Sequence, residues 1–356
     1  RRAHKNHWIY NTVDNIKKIY AKYIEFEIPL YLLIWLLTIA IYNRFMYNVI
    51  VAGSTDFTAD CILQLMKMDN VNISSIIAPV DSKKDRKGNI IISPTSKIAL
   101  ENNIKLLKPE NINSDDSYKT LSDLSPDFLI VVAYGKLLSK RILSIPKIMP
   151  VNIHGSLLPI LRGASPVEHA LLYGFEKTGT TLQKMDYKLD EGDIILQDEF
   201  EILENWQFYE LYEEIKKSGV SLLKEFFSDT QKYISNLKKQ DDKKATFCGK
   251  IKKEDGKLDF TKDALILHNM TKAFVRYPTA FCFYDNFMIK VFKSEYKKSD
   301  NKSDFGKIIE VNNNGIFIQA LNGVYIIKEL QKEGKKRQTV KEFLCGNKLN
   351  TGEYFK

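Results

Sequence analysis

Cysteine is scarce and scattered: Cys61, Cys248, Cys282 and Cys345 lie too far apart for a C-x-x-C zinc site and are too few for a disulfide scaffold in a chain of 356 residues. A reducing cytoplasm is the simplest setting for such a chain. A G-x-G-x-x-G run is also missing. Gly53 alone follows the first strand-like segment, so a nicotinamide or flavin dinucleotide finds no fingerprint here. The sequence shows neither an internal repeat nor a low-complexity tract. The apolar run 28–42 falls short of the roughly 20 residues a membrane helix needs. No small-residue A-x-A cleavage site follows that run, which weakens a secretory reading.

What is present supports a folded protein. A hydrophobic fraction of 44% with 12% aromatics provides for a packed core, and neither figure fits a disordered chain. The length leaves room for two domains, at about 100 to 200 residues each. A net charge of +9 and an isoelectric point near 9.0 suit a polyanionic partner, although a Lys- and Asn-rich composition raises the isoelectric point with no functional meaning.

The chain opens on Arg1 and reaches its first methionine at Met46. Residues 1–45 stand apart, with a basic, aromatic head before the apolar run. They read as a targeting or signal-anchor segment, as a buried helix, or as sequence lying upstream of a start at Met46. The last is the expectation, and a chain beginning at Met46 is expected to be soluble and active. From there strand and helix alternate, the pattern of a parallel sheet covered by helices. Strands are expected at 47–52, 71–78, 128–133, 151–154 and 180–185, and helices at 58–68, 97–101, 166–173 and 208–227. Apolar periodicity fades over 235–244, which reads as a linker. Beyond residue 250, one helix at 264–274 is followed by short alternating strands with turn residues between them, the pattern of a small β-barrel.

The chemistry concentrates in two stretches. Residues 151–154, Val-Asn-Ile-His, follow an apolar run with the β-branched content of a strand buried on both faces. Side chains alternate along a strand, so Asn152 and His154 share a face. In an open parallel sheet, ligands sit beyond the carboxyl ends of the strands, which puts this pair at the rim where a substrate binds. The acidic turn Leu189-Asp190-Glu191-Gly192-Asp193 comes soon enough, in a βα unit, to reach the same rim. Asn, His and Asp with no Ser or Cys nucleophile beside them suit direct transfer between two bound substrates. Taken alone, the residues leave open that His154 is structural and Asp190 a turn residue.

The run Asn152-Ile153-His154-Gly155-Ser156-Leu157-Leu158-Pro159, with Arg162-Gly163-Ala164 and then Leu189-Asp190-Glu191-Gly192-Asp193, resembles the formyltransferases that use 10-formyltetrahydrofolate, most closely their methionyl-tRNA branch. Supporting matches lie at Ala52-Gly53-Ser54-Thr55-Asp56-Phe57, Val132-Ala133-Tyr134-Gly135 and Lys250-Ile251-Lys252-Lys253-Glu254-Asp255-Gly256. Others lie at Arg276-Tyr277-Pro278 and Phe343-Leu344-Cys345-Gly346. The resemblance runs from about Met46 to the end. The chain departs from it at Ile160-Leu161, where the family often has Arg or Trp-Arg, at Trp206, where it often has Thr, and at Val275-Arg276-Tyr277-Pro278, where Asn-Pro-Trp-Pro is frequent.

This resemblance implies an α/β fold: a Rossmann-like formyltransferase domain over 46–235, a linker over 236–250 and a C-terminal OB-like β-barrel that binds tRNA over 251–356, with 1–45 an extension. It implies transfer of a formyl group from 10-formyltetrahydrofolate to the α-amino group of methionyl initiator tRNA for translation initiation, with release of tetrahydrofolate. Asn152, His154 and Asp190 would be the catalytic trio. The Asn152 amide and a protonated His154 would donate to the formyl oxygen as it gains charge, and Asp190 would keep His154 charged or relay a proton through water. Ser156, Leu157, Leu158 and Pro159 would line the folate site, since a pterin needs a flat apolar slot. Lys83, Lys84, Arg86 and Lys87 occupy the place of a basic loop that enters the tRNA acceptor arm, although a charge run alone reads as a solvated loop.

The resemblance implies no metal and no obligate protein partner. A membrane enters only if 1–45 belong to the working chain. The expected location is the cytoplasm, or an organelle matrix if 1–45 are a targeting segment. Two rivals remain: a sugar-nucleotide or other amine formyltransferase with the same trio, and a catalytically idle, membrane-tethered RNA-binding protein.

Overall fold

Residues 46–81, 88, 90–300 and 303–356 are described by a computed structural model. The extension 1–45 and the basic residues Lys83, Lys84, Arg86 and Lys87 lie outside the described residues. The first half of the chain supplies β1 (Tyr47–Ala52), β2 (Val71–Ile77), β3 (Leu106–Leu107), β4 (Phe128–Val131), β5 (Met149–His154), β6 (Arg162–Gly163), β7 (Lys177–Lys184) and β8 (Ile194–Glu201). All but β6 form one sheet in the order β3-β2-β1-β4-β5-β7-β8. Neighbours from β3 to β5 run parallel, whereas β7 and β8 are antiparallel additions. Asp190 therefore sits on a hairpin loop between β7 and β8, not in the βα unit that the sequence pattern suggested.

Helices cover both faces: α1 (Asp56–Leu65), α2 (Pro94–Glu101), α3 (Asp115–Asp123), α4 (Lys140–Leu143), α5 (Pro166–Leu172), α6 (Phe208–Ser228) and α7 (Thr230–Ile234). Alternation along the strands sorts the core into two layers. Val49, Val51, Phe128, Ile130, Val151 and Ile153 face α1 and α6, while Ile50, Ala52, Leu129 and Val131 face Leu121 of α3 and Ile142 of α4. Phe128 meets Phe226 and Phe227 edge-on, with ring centroids 5.5 Å apart in both pairs. Losing a buried ring of this kind to Ala costs about 3–5 kcal/mol. Thr55 begins α1 by accepting a hydrogen bond from the Thr58 amide, and Ser114 does the same for Ser117 in α3.

The second half builds β9 (Phe247–Cys248), helix α8 (Ala264–Ala273), strands β10 (Ala280–Tyr284), β11 (Phe287–Lys298), β12 (Ile308–Asn312), β13 (Gly315–Ala320), β14 (Gly323–Lys332) and β15 (Gln338–Thr339), and helix α9 (Val340–Leu344). The antiparallel strands run in the order β10-β11-β14-β13-β12. Tyr354 bridges to Lys307 beside β12, and Phe355 bridges to Tyr284 of β10. The end of the chain thus joins the two edge strands, which removes open edges and closes the sheet on itself. The two halves share one continuous core, which extends from Val49 to Phe355.

Candidate active site

Asn152 and His154 emerge on the face of β5 opposite Ile153, which packs against α6. Their cross-strand partners on β7 are Gln183 and Thr181, so four polar side chains are gathered on one patch of sheet. His154 is buried, 6% exposed. Its Nε2 lies 2.8 Å from the Leu161 carbonyl, and a carbonyl only accepts, so Nε2 carries a proton. Nδ1 then faces the Asp190 carboxylate at 3.7 Å, wider than a direct hydrogen bond. The half-buried Asn152 carboxamide takes no hydrogen bond from any described residue.

Asp190 reaches this patch because its hairpin loop folds back over the sheet. Its φ is 54°, a left-handed conformation that Asp tolerates better than most residues. One carboxylate oxygen accepts from Gln183 Nε2 at 2.9 Å and the other from the Gly163 amide at 2.9 Å. Two glycines make this possible. A Cβ on Gly192 would stand 1.7 Å from the Lys184 carbonyl oxygen, and one on Gly163, where φ is 126°, would stand 2.1 Å from that of Cys248.

The turn 155–161 is held internally. Ser156 is buried and donates to the Ile160 carbonyl at 2.5 Å, while its own carbonyl accepts from Thr181 Oγ1 at 2.6 Å. The amide of Leu158 donates to the same Thr181 oxygen at 3.0 Å, and Gln197 Nε2 donates to the Leu158 carbonyl at 2.9 Å. The Ser156 hydroxyl and the Leu158 side chain, 3% exposed, therefore serve the turn. Of the four residues expected to line a folate slot, Leu157 and Pro159 keep partly exposed side chains. Exposed apolar side chains also stand on the loops that leave the two strands flanking β5: Leu137 after β4, and Tyr187 and Leu189 after β7. Tyr134, just after β4, is buried, its hydroxyl has no partner among the described residues, and burial pushes its pKa up to about 12.

The stretch expected to be a linker closes the site from below. β9 pairs in parallel with β6, and Thr246 Oγ1 accepts from the Leu161 amide at 2.8 Å. Cys248 Sγ donates to the Leu161 carbonyl at 3.3 Å, the same oxygen that holds His154, and burial pushes this thiol up to about 11. Gln240 contacts the backbone of the acidic loop and the buried Arg162. Sequence reasoning missed Gln183, Gln240, Thr181 and Cys248. Gln183 and Thr181 had a signal, since they alternate on a strand just before the acidic turn. Gln240 had none, because a polar residue in a stretch without periodicity looks solvated.

Among the described residues, no group of three or more His, Cys, Asp or Glu side chains is placed to hold a metal ion, and no helix is long and apolar enough to cross a membrane. The arrangement supplies an uncommitted amide donor, an imidazole nitrogen with a carboxylate behind it, and exposed apolar side chains on neighbouring loops. That set can stabilise charge on a carbonyl oxygen and move one proton.

Comparison with known proteins fits this inventory. Residues 47–226 match the family model described as formyl transferase, and residues 250–348 match its C-terminal domain. A methionyl-tRNA formyltransferase from Caldicellulosiruptor saccharolyticus is 34% identical over 311 residues, 86% of this chain and 99% of that protein. Its counterpart from Clostridium tetani is 34% identical over 310 residues, again 86% of this chain and 99% of that protein. Among solved structures, an N-formyltransferase from Helicobacter canadensis in complex with folinic acid and dTDP-3-aminofucose superposes with a TM-score of 0.60 at 20% identity, covering 81% of this chain and 100% of that one. At that identity the likeness shows the fold.

Proposed function

This chain belongs to the formyl transferase family, in its methionyl-tRNA branch, and we propose that it transfers the formyl group of 10-formyltetrahydrofolate to the α-amino group of methionyl initiator tRNA. It is an enzyme of one-carbon transfer, drawing on a folate-derived formyl donor. The observation that carries the reading is the meeting of His154 and Asp190 on the open face of β5, beside an Asn152 carboxamide with nothing else to bond.

In this reading the α-amine of the aminoacyl ester, which titrates near or below the ~7.7–8.0 of a free α-amine, attacks the formyl carbon as a neutral nucleophile. Charge gathers on the formyl oxygen, and Asn152 Nδ2 donates to it, a contact of the kind worth about 3–4 kcal/mol. His154 Nε2 is committed to Leu161, so Nδ1 is the nitrogen left to take the proton the amine sheds and pass it to N10 of the departing folate. This differs from the oxyanion donation first expected of His154. Asp190, held by Gln183 and Gly163, stabilises the imidazolium between those two transfers. Leu157, Pro159, Leu137, Tyr187 and Leu189 supply apolar surface for the pterin.

Residues 46–235 carry the chemistry in this proposal. The barrel over 251–356 and the basic run Lys83, Lys84, Arg86 and Lys87 hold the tRNA through phosphate contacts. The test is a formyl-transfer assay run in parallel on methionyl initiator tRNA, methionyl elongator tRNA, free methionine and a nucleotide-linked amino sugar. Formylation of initiator tRNA well ahead of the other three is expected. Faster transfer to the amino sugar would move the chain to the sugar-modifying side of the family.

A further inference from the structure

Arg162 is 2% exposed, so its charge is held inside the protein rather than in water. Its Nε donates to Gln240 Oε1 at 3.0 Å, and one terminal nitrogen donates to Asp242 at 2.7 Å. The other lies 3.9 Å from Glu191, on the acidic loop itself. With its oxygen occupied by Arg162, Gln240 is fixed in one orientation, and its Nε2 donates to the carbonyls of Asp190 and Gly192, each at 2.7 Å. One side chain therefore grips the backbone on both sides of Glu191. The acidic loop has few other anchors at this point: Leu189 is 59% exposed and Tyr187 60% exposed, so no apolar burial holds it down.

Resting on the formyl-transfer reading above, we propose that Gln240, locked by Arg162, is a positioning residue for Asp190: it holds the left-handed backbone that aims the Asp190 carboxylate at His154 Nδ1. Gln240 makes no hydrogen bond to the His154 ring. It acts on Asp190 through the loop backbone and through Gln183, whose Oε1 lies 3.5 Å from Gln240 Nε2 and whose own Nε2 donates to the carboxylate, so the segment that joins the two halves of the chain is part of the catalytic framework as well as a connection.

Without Gln240, two carbonyls and the Arg162 Nε lose their partners, and the Asp190 carboxylate is left to Gln183 and the Gly163 amide on a loosened loop backbone. Binding surfaces stay intact. Gln240→Met, which keeps the shape and removes every hydrogen bond, is expected to lower kcat at least tenfold while KM for methionyl-tRNA and for 10-formyltetrahydrofolate stays within about twofold. Gln240→Glu keeps the volume and the acceptor for Arg162 and loses both donated bonds, so it serves if Gln240→Met folds poorly and should show the same loss.

The decisive comparison repeats the change in an Asp190→Asn background. A residue that acts through Asp190 has little left to lose there, so Gln240→Met should cost less than about threefold on top of Asp190→Asn. A merely structural role would give the same fold loss in both backgrounds and overturn the proposal, as would an unchanged kcat or a rise in KM with kcat preserved. The parent's own activity on methionyl-tRNA is measured alongside, so a Gln240 variant indistinguishable from an active parent overturns this inference and leaves the proposed function standing.

Discussion

Asn152 is where the residue scale is most informative, because its carboxamide sits half-buried in the polar patch without a hydrogen bond to any described residue. Asn152→Ala breaks no side-chain hydrogen bond to a described residue, so stability should be little changed while kcat falls about 10²- to 10³-fold, the usual loss for one oxyanion donor. Steady-state kinetics with a folate-binding titration checks this. A variant that keeps its rate and loses folate affinity would make Asn152 a ligand-binding residue instead. The thiols give a second residue-scale expectation. Burial raises Cys248 to about 11 and leaves it protonated at neutral pH, whereas Cys345 is exposed. Alkylation with iodoacetamide at pH 8, followed by peptide mapping, should label Cys345 first and Cys248 only on unfolding. Early labelling of Cys248 would mean that the contact between β6 and β9 opens readily. Asn152, His154 and Asp190 could be picked out from the sequence because strand alternation and an acidic turn are local patterns. Gln183 and Gln240 have importance only once the hairpin and the connecting segment fold onto one another, and no spacing announces that.

Elements differ in how plainly their sequences declare them. β4 is apolar on both faces and β5 on the face of Val151 and Ile153, and both read clearly, as does the amphipathic α6. α3 went unseen because Leu121 is its one buried residue, so apolar periodicity had almost nothing to record. Short strands were expected in the barrel, yet β11 runs on to Lys298, since its last residues are mostly charged and largely exposed, where packing sets no pattern. The antiparallel placement of β7 and β8 was missed for a related reason: direction is fixed by pairing partners, which a single strand's sequence does not specify. Helix α8 offers a pH test at this scale. Burial lowers His268 to about 4 from an ordinary 6.5, with Lys272 pushing the same way and Glu295 opposing, while Nδ1 bonds Ser294 and the ring packs on Tyr296. The folded protein thus resists a proton that the unfolded chain accepts. Stability is unaffected above pH 6.5 and falls as pH drops from 6.5 towards 4, by up to about 1.4 kcal/mol per pH unit from this one residue. Urea midpoints for the parent and His268→Gln between pH 7 and 4.5 would show it: the parent should lose stability faster on acidification, and parallel profiles would contradict the assignment.

For the molecule as a whole, a catalytic sheet and a closed barrel share one core, and the segment between them threads under the active site. Gln207 of the first half donates to the Phe292 carbonyl of the barrel at 2.8 Å, and Lys272 of α8 donates to the Glu204 carbonyl at 2.9 Å. This continuity fixes the barrel against the catalytic half of the chain. The change from helix-and-strand alternation to short strands near residue 250 was legible in the sequence. The part that Gln240, Thr246 and Cys248 take in the site was not, because nothing in the sequence separates these protein-bonded side chains from their exposed neighbours. The most direct test of the account is single-turnover formyl transfer from 10-formyltetrahydrofolate to methionyl initiator tRNA already bound to the enzyme, comparing the parent with His154→Ala and Asp190→Asn. Both variants should bind tRNA and folate like the parent and transfer the formyl group about 10²-fold or more slowly. Rates within a few fold of the parent would contradict the central claim that His154 carries the proton in formyl transfer and Asp190 supports its charge.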